Sequence, residues 1–409
     1  MRLIVQKYGG TSVGTAERIR KVAERLLETQ RDDCRVVAVI SAMAGVTDNL
    51  LKLAREVAPR PDEREMDLLL ATGEQGASAL VAMAVNALGG RAISLNGAQA
   101  GILTDRVHTK AKIANISPKQ IQELLSDDYI VVVAGFQGQT PEGETTTLGR
   151  GGSDLTAIAL AGAIGADACQ IYTDVDGVYS CDPRVVGEAM KMEEIAYDEL
   201  LELAGSGAKV MQSRAVEFAK KFGVAFEVRS SFNRNRGTLA KEETTNMEDV
   251  VIRGVSIERH QAKVTLDDVP DRAGAASRIF SAISSANILV DVIVQSASDR
   301  NTTDISFTIH EADLARAEEL LAAIVEEIGA TRLISHGGVA KLSVVGIGMR
   351  SHSGVAARLF DCLGQGKINI ELISTSEIKI TVVIAEKDAD RAAQLTHKAF
   401  GLESYPRAG

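Results

Sequence analysis

The sequence predicts an α/β protein in which a mostly parallel sheet, sandwiched by helices, is followed by two small βαββαβ modules. Strand-like runs alternate with helical patterns from residue 1 to about 240, and this alternation is typical of parallel sheets. The polar stretch 241–246 then marks a domain boundary. Beyond that boundary the sequence repeats itself.

The alternating elements begin at the N-terminus. Leu3–Tyr8 is a strand-like run that precedes a helical pattern at Ala16–Thr29. Arg35–Ser41 in turn precedes a helical pattern near Asp48–Val57. Two further β-rich runs and a buried helix between them complete the series: Tyr129–Phe136, Ala157–Gly165 and Gln170–Thr173. Ligands of such sheets bind at the carboxyl ends of the strands, so the loops after these strands are where a site is expected.

The repeat in the second part of the chain predicts the two modules. Gly274–Phe280 aligns with Gly354–Phe360 at an offset of 80 residues, and the same offset carries 287–291 onto 367–371. The offset then falls to 75, so the hairpin is five residues shorter in the second copy. Each copy has the pattern of a strand, a glycine-containing loop, a helix, a strand, a hairpin, a strand and a helix. The tail is therefore predicted to be two βαββαβ modules.

Composition limits the class of protein. A chain of 409 residues is too long for one ordinary core, and its 45% hydrophobic and 24% charged residues are typical of soluble proteins. The net charge of −10 argues against nucleic-acid or anionic-membrane partners. The four scattered cysteines predict reduced thiols. The longest apolar stretch recognised in the sequence, 155–166, is shorter than the ~18 residues of a membrane span, so the protein is expected to be cytoplasmic.

A first glycine-rich motif, Lys7–Ser12, lies between a predicted strand and a helix. Glycines there let main-chain N–H groups approach an anion, and the helix N-terminus adds a favourable partial charge. Lys7 supplies a mobile cation for phosphoryl oxygens. The alternative is an ordinary tight turn between a strand and a helix.

A second motif, Leu148–Asp154, repeats this design with an arginine and a helix-leading carboxylate. Asp154 has the alternative interpretation of a plain N-cap residue, since aspartate is favoured there. Either glycine-rich motif alone could be purely structural. Two such motifs in one α/β domain favour anion binding over that explanation.

A third motif, Tyr172–Tyr179, carries several carboxylates. Asp176 is followed by Gly177, a routine turn pair, whereas Asp174 stands at a strand end and is the better functional residue. For Asp176 and Asp182, a solvated loop carboxylate remains an equal alternative.

The composition of the motifs also indicates the kind of reaction. Only His108 of the six histidines precedes residue 250, and none lies in a motif. A nucleophile that is already ionised needs no general base, only cations and N–H donors. A carboxylate that attacks the γ-phosphate of ATP fits this set, whereas an alcohol more often needs a base.

The three motifs, in this order, resemble those of the aspartate kinases, and the tail is similar to tandem ACT domains. The resemblance covers essentially the whole chain. It implies an amino-acid kinase fold over 1–245 and ACT domains at 263–338 and 341–405, with the strand 248–262 pairing with the second. It also implies phosphorylation of L-aspartate by ATP, the first step towards lysine, threonine and methionine. Magnesium would be held mainly by the phosphates, and no protein ligand for a metal is expected.

The resemblance implies roles for individual residues. The catalytic residues would be Lys7, Asp154 and Lys209. ATP would be bound by Lys7, Gly9, Gly10, Ser41, Thr173, Asp174, Tyr179, Arg184, Lys209 and Val210. Aspartate would be bound by Thr47, Glu74, Arg150, Gly151, Gly152 and Ser153. For Glu74, an ordinary helix start at Thr72–Glu74 is the alternative on sequence alone.

The tail, by the same resemblance, binds feedback inhibitors, with lysine and threonine expected. The effector residues would be Asp271, Gly274, Gln295, Met349, Gly354, Val355, Asn369, Ile370 and Ser376. A homo-oligomer is expected, or an α₂β₂ assembly with a second product that starts at Met247. Two other functions stay open: another acyl-phosphate-forming kinase, for glutamate or acetylglutamate, and an inactive amino-acid sensor. A tail that only dimerises the enzyme is the alternative to regulation.

Overall fold

The computed structural model describes residues 1–207, 211–244, 251–297, 301–350 and 352–404, which form two compact units. Within this part of the chain, the first unit holds 1–178, 191–204 and 211–244. The second holds 179–190, 205–207 and the residues after 250. Within the range expected for the first domain, 1–245, the segment 179–190 belongs to the second unit, because its side chains pack into the core of that unit. Lys209, Val210 and Met247 lie outside the described residues.

The first unit contains two sheets. Its strands are β1 (Arg2–Tyr8), β2 (Cys34–Ile40), β3 (Ala92–Leu95), β4 (Ile102–Thr104), β5 (Ile113–Ile116), β6 (Ile130–Ala134), β7 (Gln137–Gln139), β8 (Thr145–Thr147), β9 (Ala168–Thr173), β10 (Glu194–Ala196), β11 (Phe226–Ser230) and β12 (Thr238–Lys241). The large sheet has the order β10-β12-β11-β9-β1-β2-β6-β3, and the small one β5-β4-β7-β8. Six neighbouring strands of the large sheet, β11 to β3, are parallel. The predicted mostly parallel sheet is thus confirmed.

Helices cover both faces of the large sheet. They are α1 (Ala16–Arg31), α2 (Val46–Val57), α3 (Glu63–Ala87), α4 (Lys119–Ser126), α5 (Gly152–Ile164), α6 (Tyr197–Gly205) and α7 (Ser213–Phe222). Side chains of α1 and α3 share one apolar core with Tyr8 of β1 and with alternate residues of β2 and β6. Helix α5 packs against β1, β2 and β9. Helix α5 starts at Gly152, five residues before the predicted helix Ala157–Gly165. The prediction followed the apolar residues, whereas the first turn of the helix lies in the glycine-rich motif.

Helix α3 is the one described helix that is long and apolar enough to cross a membrane. The sequence analysis overlooked it because Glu74 interrupts its apolar run. Half of its most apolar window is buried, and Val81 and Val85 belong to the core shared with α1. These contacts are those of a core helix in a globular fold.

The second unit is built on one six-stranded antiparallel sheet. Its strands are β13 (Gly254–Pro270), β14 (Val290–Ala297), β15 (Thr302–His310), β16 (Arg332–Val345), β17 (Leu372–Thr375) and β18 (Lys379–Ala385), in the order β14-β15-β13-β16-β18-β17. Its helices are α8 (Ala275–Ser285), α9 (Leu314–Ile328), α10 (Val355–Gln365) and α11 (Ala389–Ala399). Helices α8 and α9 cover one apolar core, and α10 and α11 cover a second. The two cores correspond to the two predicted modules.

The two central strands are shared between the modules. The first part of β13, 254–258, pairs with the end of β16, beside β18. The later part of β13, 263–267, pairs with the start of β16 and with β15. The strand before residue 262 thus pairs with the second module over the residues that the structure describes.

Candidate active site

The loops that follow β1, β2 and β9 meet at one edge of the large sheet. Parallel pairing places Tyr8, the last residue of β1, level with Ile40 of β2 and Tyr172 of β9. Two main-chain hydrogen bonds extend this pairing into the loops. The Gly9 N–H donates to the Tyr172 carbonyl (3.2 Å), and the Ser41 N–H donates to the Tyr8 carbonyl (3.1 Å). The structure therefore brings together three loops in which the sequence predicts ATP-binding residues.

Lys7 and Asp154 form a buried ion pair next to these loops. Side chains alternate along a strand, so Lys7 projects to the face opposite Tyr8, the face that α5 covers. Its Nζ lies 2.6 Å from Oδ1 of Asp154, and the two side chains are 10% and 13% exposed. The alternative interpretation of Asp154 as an N-cap is wrong, because Gly151 occupies that position. The aspartate instead holds the lysine in place.

Glycines make room for close main-chain approach in both motifs. A Cβ at Gly10 would lie 2.8 Å from the Ala42 carbonyl oxygen. Gly151 has φ +70°, and a Cβ there would lie 2.2 Å from the Gln212 side chain. The first N–H groups of α5, which follow Gly151, have no acceptor within the helix and carry its positive partial charge. Such a helix start, beside a buried lysine, fits a phosphate group.

Two charged side chains that the sequence analysis missed hold the second motif in place. The guanidinium of Arg214, on α7, donates to the carbonyls of Leu148 and Ala111, the latter at 2.6 Å. The fully buried carboxylate of Asp67, on α3, accepts from the Thr109 N–H (3.0 Å) and the Thr147 hydroxyl (2.5 Å). The sequence signal that could have identified Asp67 is its place among the apolar residues of α3. A charged residue at a buried helix position requires a partner.

Glu74 lies in the interior of α3, not at its start. The helix begins at Glu63 after the N-cap Asp62, whose carboxylate accepts from the Arg64 N–H (3.0 Å). The hydroxyl of Thr72 donates to the Leu69 carbonyl, as a residue inside a helix does. The alternative interpretation of Thr72–Glu74 as a helix start is therefore wrong.

The carboxyl group of Glu74 is buried and only half satisfied. Its Oε1 accepts from the Ala42 N–H (3.1 Å), in the loop after β2, and the described residues give Oε2 no hydrogen-bond partner. Burial raises the pKa of Glu74 to about 7. A buried carboxylate in this state is suited to a cationic ligand, whose charge would offset the cost of burying the anion.

The other predicted aspartate-binding residues lie on α2 and at the start of α5. Thr47 is the second residue of α2, which packs against α3. Ser153 is buried in the first turn of α5, where a Cβ at Gly135 would lie 2.9 Å from its Oγ. Arg150 is exposed, immediately before the N-cap. Their contact with substrate stays a prediction.

The third motif is divided between the two units. Thr173 ends β9, and its hydroxyl donates to the exposed Asp174 carboxylate (3.1 Å). The Asp176 carboxylate accepts from the Asn233 side chain (2.5 Å), so it is not merely solvated. Tyr179 and Arg184 belong to the second unit. The nucleotide contacts of these residues stay predictions.

Arg184 and Asp182, in the second unit, form a local ion pair. The Arg184 guanidinium lies 2.7 Å from the Asp182 carboxylate, and this pairing lowers the pKa of Asp182. The Asp182 carboxylate also accepts from the Arg184 N–H (2.9 Å). A merely solvated carboxylate, the alternative left open for Asp182, therefore does not describe this residue either.

Four of the nine predicted effector residues line one cavity in the second module. The cavity has a volume of about 570 Å³ and includes Met349, Gly354, Val355 and Ser376. Its wall is completed by His352, Ala356, Thr375, Glu377 and Ile380.

The remaining effector residues are distributed over both modules. In the first module, Asp271 follows β13, Gly274 is the N-cap of α8, and Gln295 lies on β14. Asn369 and Ile370 follow α10, and Ile370 packs against the core of the second module. Effector binding by these residues stays a prediction.

Comparison with known proteins agrees with this geometry. The model of the amino acid kinase family matches residues 2–230, and that of the ACT domain matches 267–323 and 342–400. An aspartokinase from Pseudomonas aeruginosa is 49% identical over 411 residues, with all of both chains covered.

Two solved structures of Escherichia coli aspartokinase III are similar over almost the whole chain. The one in complex with aspartate and ADP is 25% identical, with a TM-score of 0.80, over 97% of this chain and 99% of its own. The one in complex with lysine and aspartate is 26% identical, with a TM-score of 0.79 and the same coverage. With the family models, the full-length relative and the buried Lys7–Asp154 pair, these findings show that the chain belongs to the aspartate kinases of the amino acid kinase family, with tandem ACT domains.

Proposed function

We propose that the chain transfers the γ-phosphoryl group of ATP to the side-chain carboxylate of L-aspartate, giving 4-phospho-L-aspartate and ADP. The observation that carries this proposal is the buried Lys7–Asp154 pair beside the helix start of α5. A carboxylate oxygen of aspartate attacks the γ-phosphorus, and the bond from that phosphorus to the bridging oxygen of ADP breaks. No proton has to be removed from the nucleophile, so cations and N–H donors are sufficient.

The proposed roles at the phosphates follow from position. Lys7 neutralises the transferring phosphoryl group, and Asp154 keeps its ammonium oriented. Gly10 and the Ser41 hydroxyl lie at the same edge of the sheet, and Gly9 keeps the space beside the lysine open, since a Cβ there would lie 3.5 Å from Nζ of Lys7. Lys209 is assigned a phosphate contact from the resemblance to the aspartate kinases alone. The described residues form no cluster of metal-ligating groups at this edge, and we propose that Mg²⁺ enters bound to ATP and stays held mainly by its phosphates.

The proposed roles at aspartate rest on the buried glutamate. Glu74 receives the α-ammonium group, since its second oxygen is buried without a partner among the described residues. Arg150 pairs with the α-carboxylate in the two-pronged geometry that guanidinium groups favour. Thr47 and Ser153 complete the site. Aspartate held at both α-groups presents only its β-carboxylate for reaction.

A hydroxamate-trapping assay tests the substrate. Hydroxylamine converts an acyl phosphate into a hydroxamate, which forms a coloured complex with added iron(III). The assay therefore reports formation of the proposed product. Aspartate, glutamate and N-acetylglutamate are supplied separately with ATP and Mg²⁺. We expect hydroxamate to form with aspartate. Hydroxamate formed only with glutamate or only with acetylglutamate would mean that the chain is a different acyl-phosphate-forming kinase. No hydroxamate with any of the three substrates would favour an inactive amino-acid sensor.

We further propose that the reaction is the first step in the synthesis of lysine and threonine. The ACT modules would then mediate feedback inhibition of the enzyme by these two end products. Support comes from the cavity around Met349 and Ser376 and from the relative that binds lysine. Inhibition requires that the effector binds the inactive state more tightly than the active one. A cytoplasmic location, a homo-oligomer and a second product from Met247 remain proposals from the sequence.

Asp271→Ala is expected to relieve inhibition with little change in uninhibited activity. Asp271 is exposed in the loop between β13 and α8, and we propose that its carboxylate receives an effector ammonium. Lysine and threonine are titrated separately and together on the wild type and the variant. Glu319→Ala, an exposed carboxylate change on α9, is the control. Inhibition that stays the same in both variants would remove Asp271 from the effector site.

A further inference from the structure

The loop that lies against the second glycine-rich motif contains a strained residue. Thr109, between β4 and β5, has φ +63°, a left-handed conformation in which a β-branched side chain is crowded by its own backbone. A Cβ at Gly149, in the motif, would lie 3.2 Å from the Thr109 carbonyl oxygen. Strain of this kind persists only where the surrounding structure enforces it, so other contacts must hold Thr109 in this conformation.

The carboxylate of Asp67, on α3, makes those contacts. Both of its oxygens accept from the Thr109 N–H, each at 3.0 Å, and Oδ2 lies 2.8 Å from Nδ1 of His108. Oδ1 also accepts from the hydroxyl of Thr147, the last residue of β8. Asp67 has no exposed surface, and a buried carboxylate favours the conformation that supplies its hydrogen-bond donors. One buried anion therefore fixes the strained loop and the strand that leads into the motif.

The start of helix α7 contacts the same stretches of chain. The Arg214 guanidinium donates to the carbonyls of Leu148 and Ala111, the latter at 2.6 Å. The Ala111 N–H in turn donates to the last carbonyl of β8 (2.9 Å). A Cβ at Gly151 would come within 2.2 Å of the Gln212 side chain. The loop around residue 109, the end of β8 and the start of α7 thus enclose the turn from which α5 begins.

We propose that Asp67 is a positioning residue for phosphoryl transfer. By holding Thr109 in its strained conformation, it fixes the turn from which α5 begins, and that turn places Asp154 against Lys7. This inference rests on the proposed function, in which Lys7 is the cation at the transferring phosphoryl group. Asp154 lies in the first turn of α5, so a shift of that turn moves its carboxylate, whereas Lys7 is held in β1. The 2.6 Å contact between the two side chains then changes.

Asp67→Asn tests the positioning role. An amide has one acceptor oxygen and an NH₂ donor, so it cannot accept from the Thr109 N–H on both sides. We expect kcat to fall about tenfold to 10²-fold at saturating substrates, since misplacement of a reacting group by about 1 Å can cost 10²-fold. The KM for ATP should stay within about threefold of wild type, because the lost interaction belongs to the transition state.

Glu199→Gln is the matched control for loss of a buried carboxylate. Glu199, on α6, is 2% exposed and accepts from the Ala196 N–H (3.4 Å). The change from carboxylate to amide is the same, but the residue contacts neither the strained loop nor the motif among the contacts that the structure describes. We expect its kcat to stay within about twofold of wild type.

A second substitution at Thr109 tests how Asp67 acts. Glycine adopts φ +63° without steric cost and alanine does not, whereas both lack the threonine hydroxyl. The double variant Asp67→Asn/Thr109→Gly should therefore have a kcat at least about threefold above that of Asp67→Asn/Thr109→Ala. Loss of a carboxylate that only stabilises the fold would lower kcat equally in both. Thermal unfolding identifies a temperature at which every variant is folded, and all assays are run there.

Arg214→Gln tests the same turn without removing a buried anion. The variant loses the contacts with the Leu148 and Ala111 carbonyls, and we expect a kcat about tenfold below wild type. Arg91→Gln is its control, since the Arg91 guanidinium also donates to a main-chain carbonyl, that of Asp127 (3.1 Å), at the opposite edge of the large sheet. Arg91→Gln should keep the kcat of wild type.

The hydroxamate assay, run on all of these variants, decides the inference. Wild-type kcat in Asp67→Asn and Arg214→Gln, or losses that their controls reproduce, would overturn it. Equal kcat in the glycine and alanine double variants would also overturn it. In these cases the proposed function stands, because the wild type phosphorylates aspartate. A wild type that forms no aspartyl hydroxamate would overturn the proposed function and this inference with it.

Discussion

Lys7→Ala is expected to lower turnover by about 10²–10³-fold, because one preorganised charge at a transition state typically contributes that factor. Lys7 is the buried cation at the edge where the phosphate-binding loops meet. The loss should appear in kcat at saturating ATP and aspartate, measured with the hydroxamate assay. A folded variant that keeps more than about a tenth of wild-type turnover would contradict the assignment.

The same variant is expected to lose stability, and this separates structure from catalysis. Removing one partner of a buried ion pair leaves the other charge uncompensated, at a cost of about 3–5 kcal/mol. The double variant Lys7→Ala/Asp154→Ala removes both charges, so it should recover much of that stability, measured by thermal unfolding, and remain inactive. Lys21→Ala, at an exposed pair with Glu17, is the control for loss of a lysine.

Glu74→Gln is expected to raise the KM for aspartate by about 10²-fold. The substitution removes the buried carboxylate that pairs with the α-ammonium group of aspartate, and a buried charge without its partner costs several kcal/mol of binding free energy. The KM for ATP should change little, because Glu74 lies on α3 and is assigned to the other substrate. Steady-state kinetics with each substrate varied in turn measure both values. Glu63→Gln, an exposed position in the same helix, is the control.

The pH dependence of this site follows from the raised pKa of Glu74. The carboxyl is protonated below its folded-state pKa of about 7 and ionised above it, so aspartate affinity in the wild type should rise as pH increases through 7. Glu74→Gln should remove that rise. An equal pH dependence in wild type and variant would show that another group titrates.

Thermal stability should change in the opposite direction. Burial raises the folded-state pKa of Glu74 above the ordinary value of 4.5, so its contribution to stability is fully present below that value and is lost as pH rises through about 7. Without aspartate, the wild type should therefore lose Tm between pH 5 and pH 8 relative to Glu74→Gln. Added aspartate should restore the Tm of the wild type at pH 8 and not that of the variant.

The features that the sequence predicted well are those encoded by local patterns. The alternation of apolar strands and helices and the repeat at an offset of 80 residues depend on short stretches of chain, and the structure contains both. The resemblance implied that Asp154 orients active-site lysines, but the sequence gives no geometry for its pair with Lys7, since 147 positions separate the two residues (154 − 7). The pair depends on parallel pairing of β1 with β9 and on the start of α5.

The features that the sequence analysis missed depend on contacts between distant residues. Glu74 resembled a helix start because Thr72 and Gly73 are poor interior residues, but packing of α3 against the sheet outweighs their propensity. Arg214 holds the second motif through the Leu148 carbonyl, and Asp67 holds the adjacent Thr147 hydroxyl and the Thr109 N–H; neither contact leaves a pattern in the sequence. The assignment of 179–190 to the second unit likewise depends on contacts with residues far along the chain, among them the hydrogen bond between Ser180 and His397, more than 200 positions apart.

Transfer of an aspartate oxygen to phosphate is the most direct test of the proposed reaction. Aspartate labelled with oxygen-18 in its β-carboxylate is incubated with ATP, Mg²⁺, hydroxylamine and the protein. Hydroxylamine attacks the carbonyl carbon of the acyl phosphate, so the released phosphate keeps the oxygen that bridged carbon and phosphorus. We expect one labelled oxygen per phosphate, in amounts equal to the hydroxamate formed, as measured by phosphorus NMR. Unlabelled phosphate would mean that water attacks ATP, and it would contradict direct attack by the aspartate carboxylate.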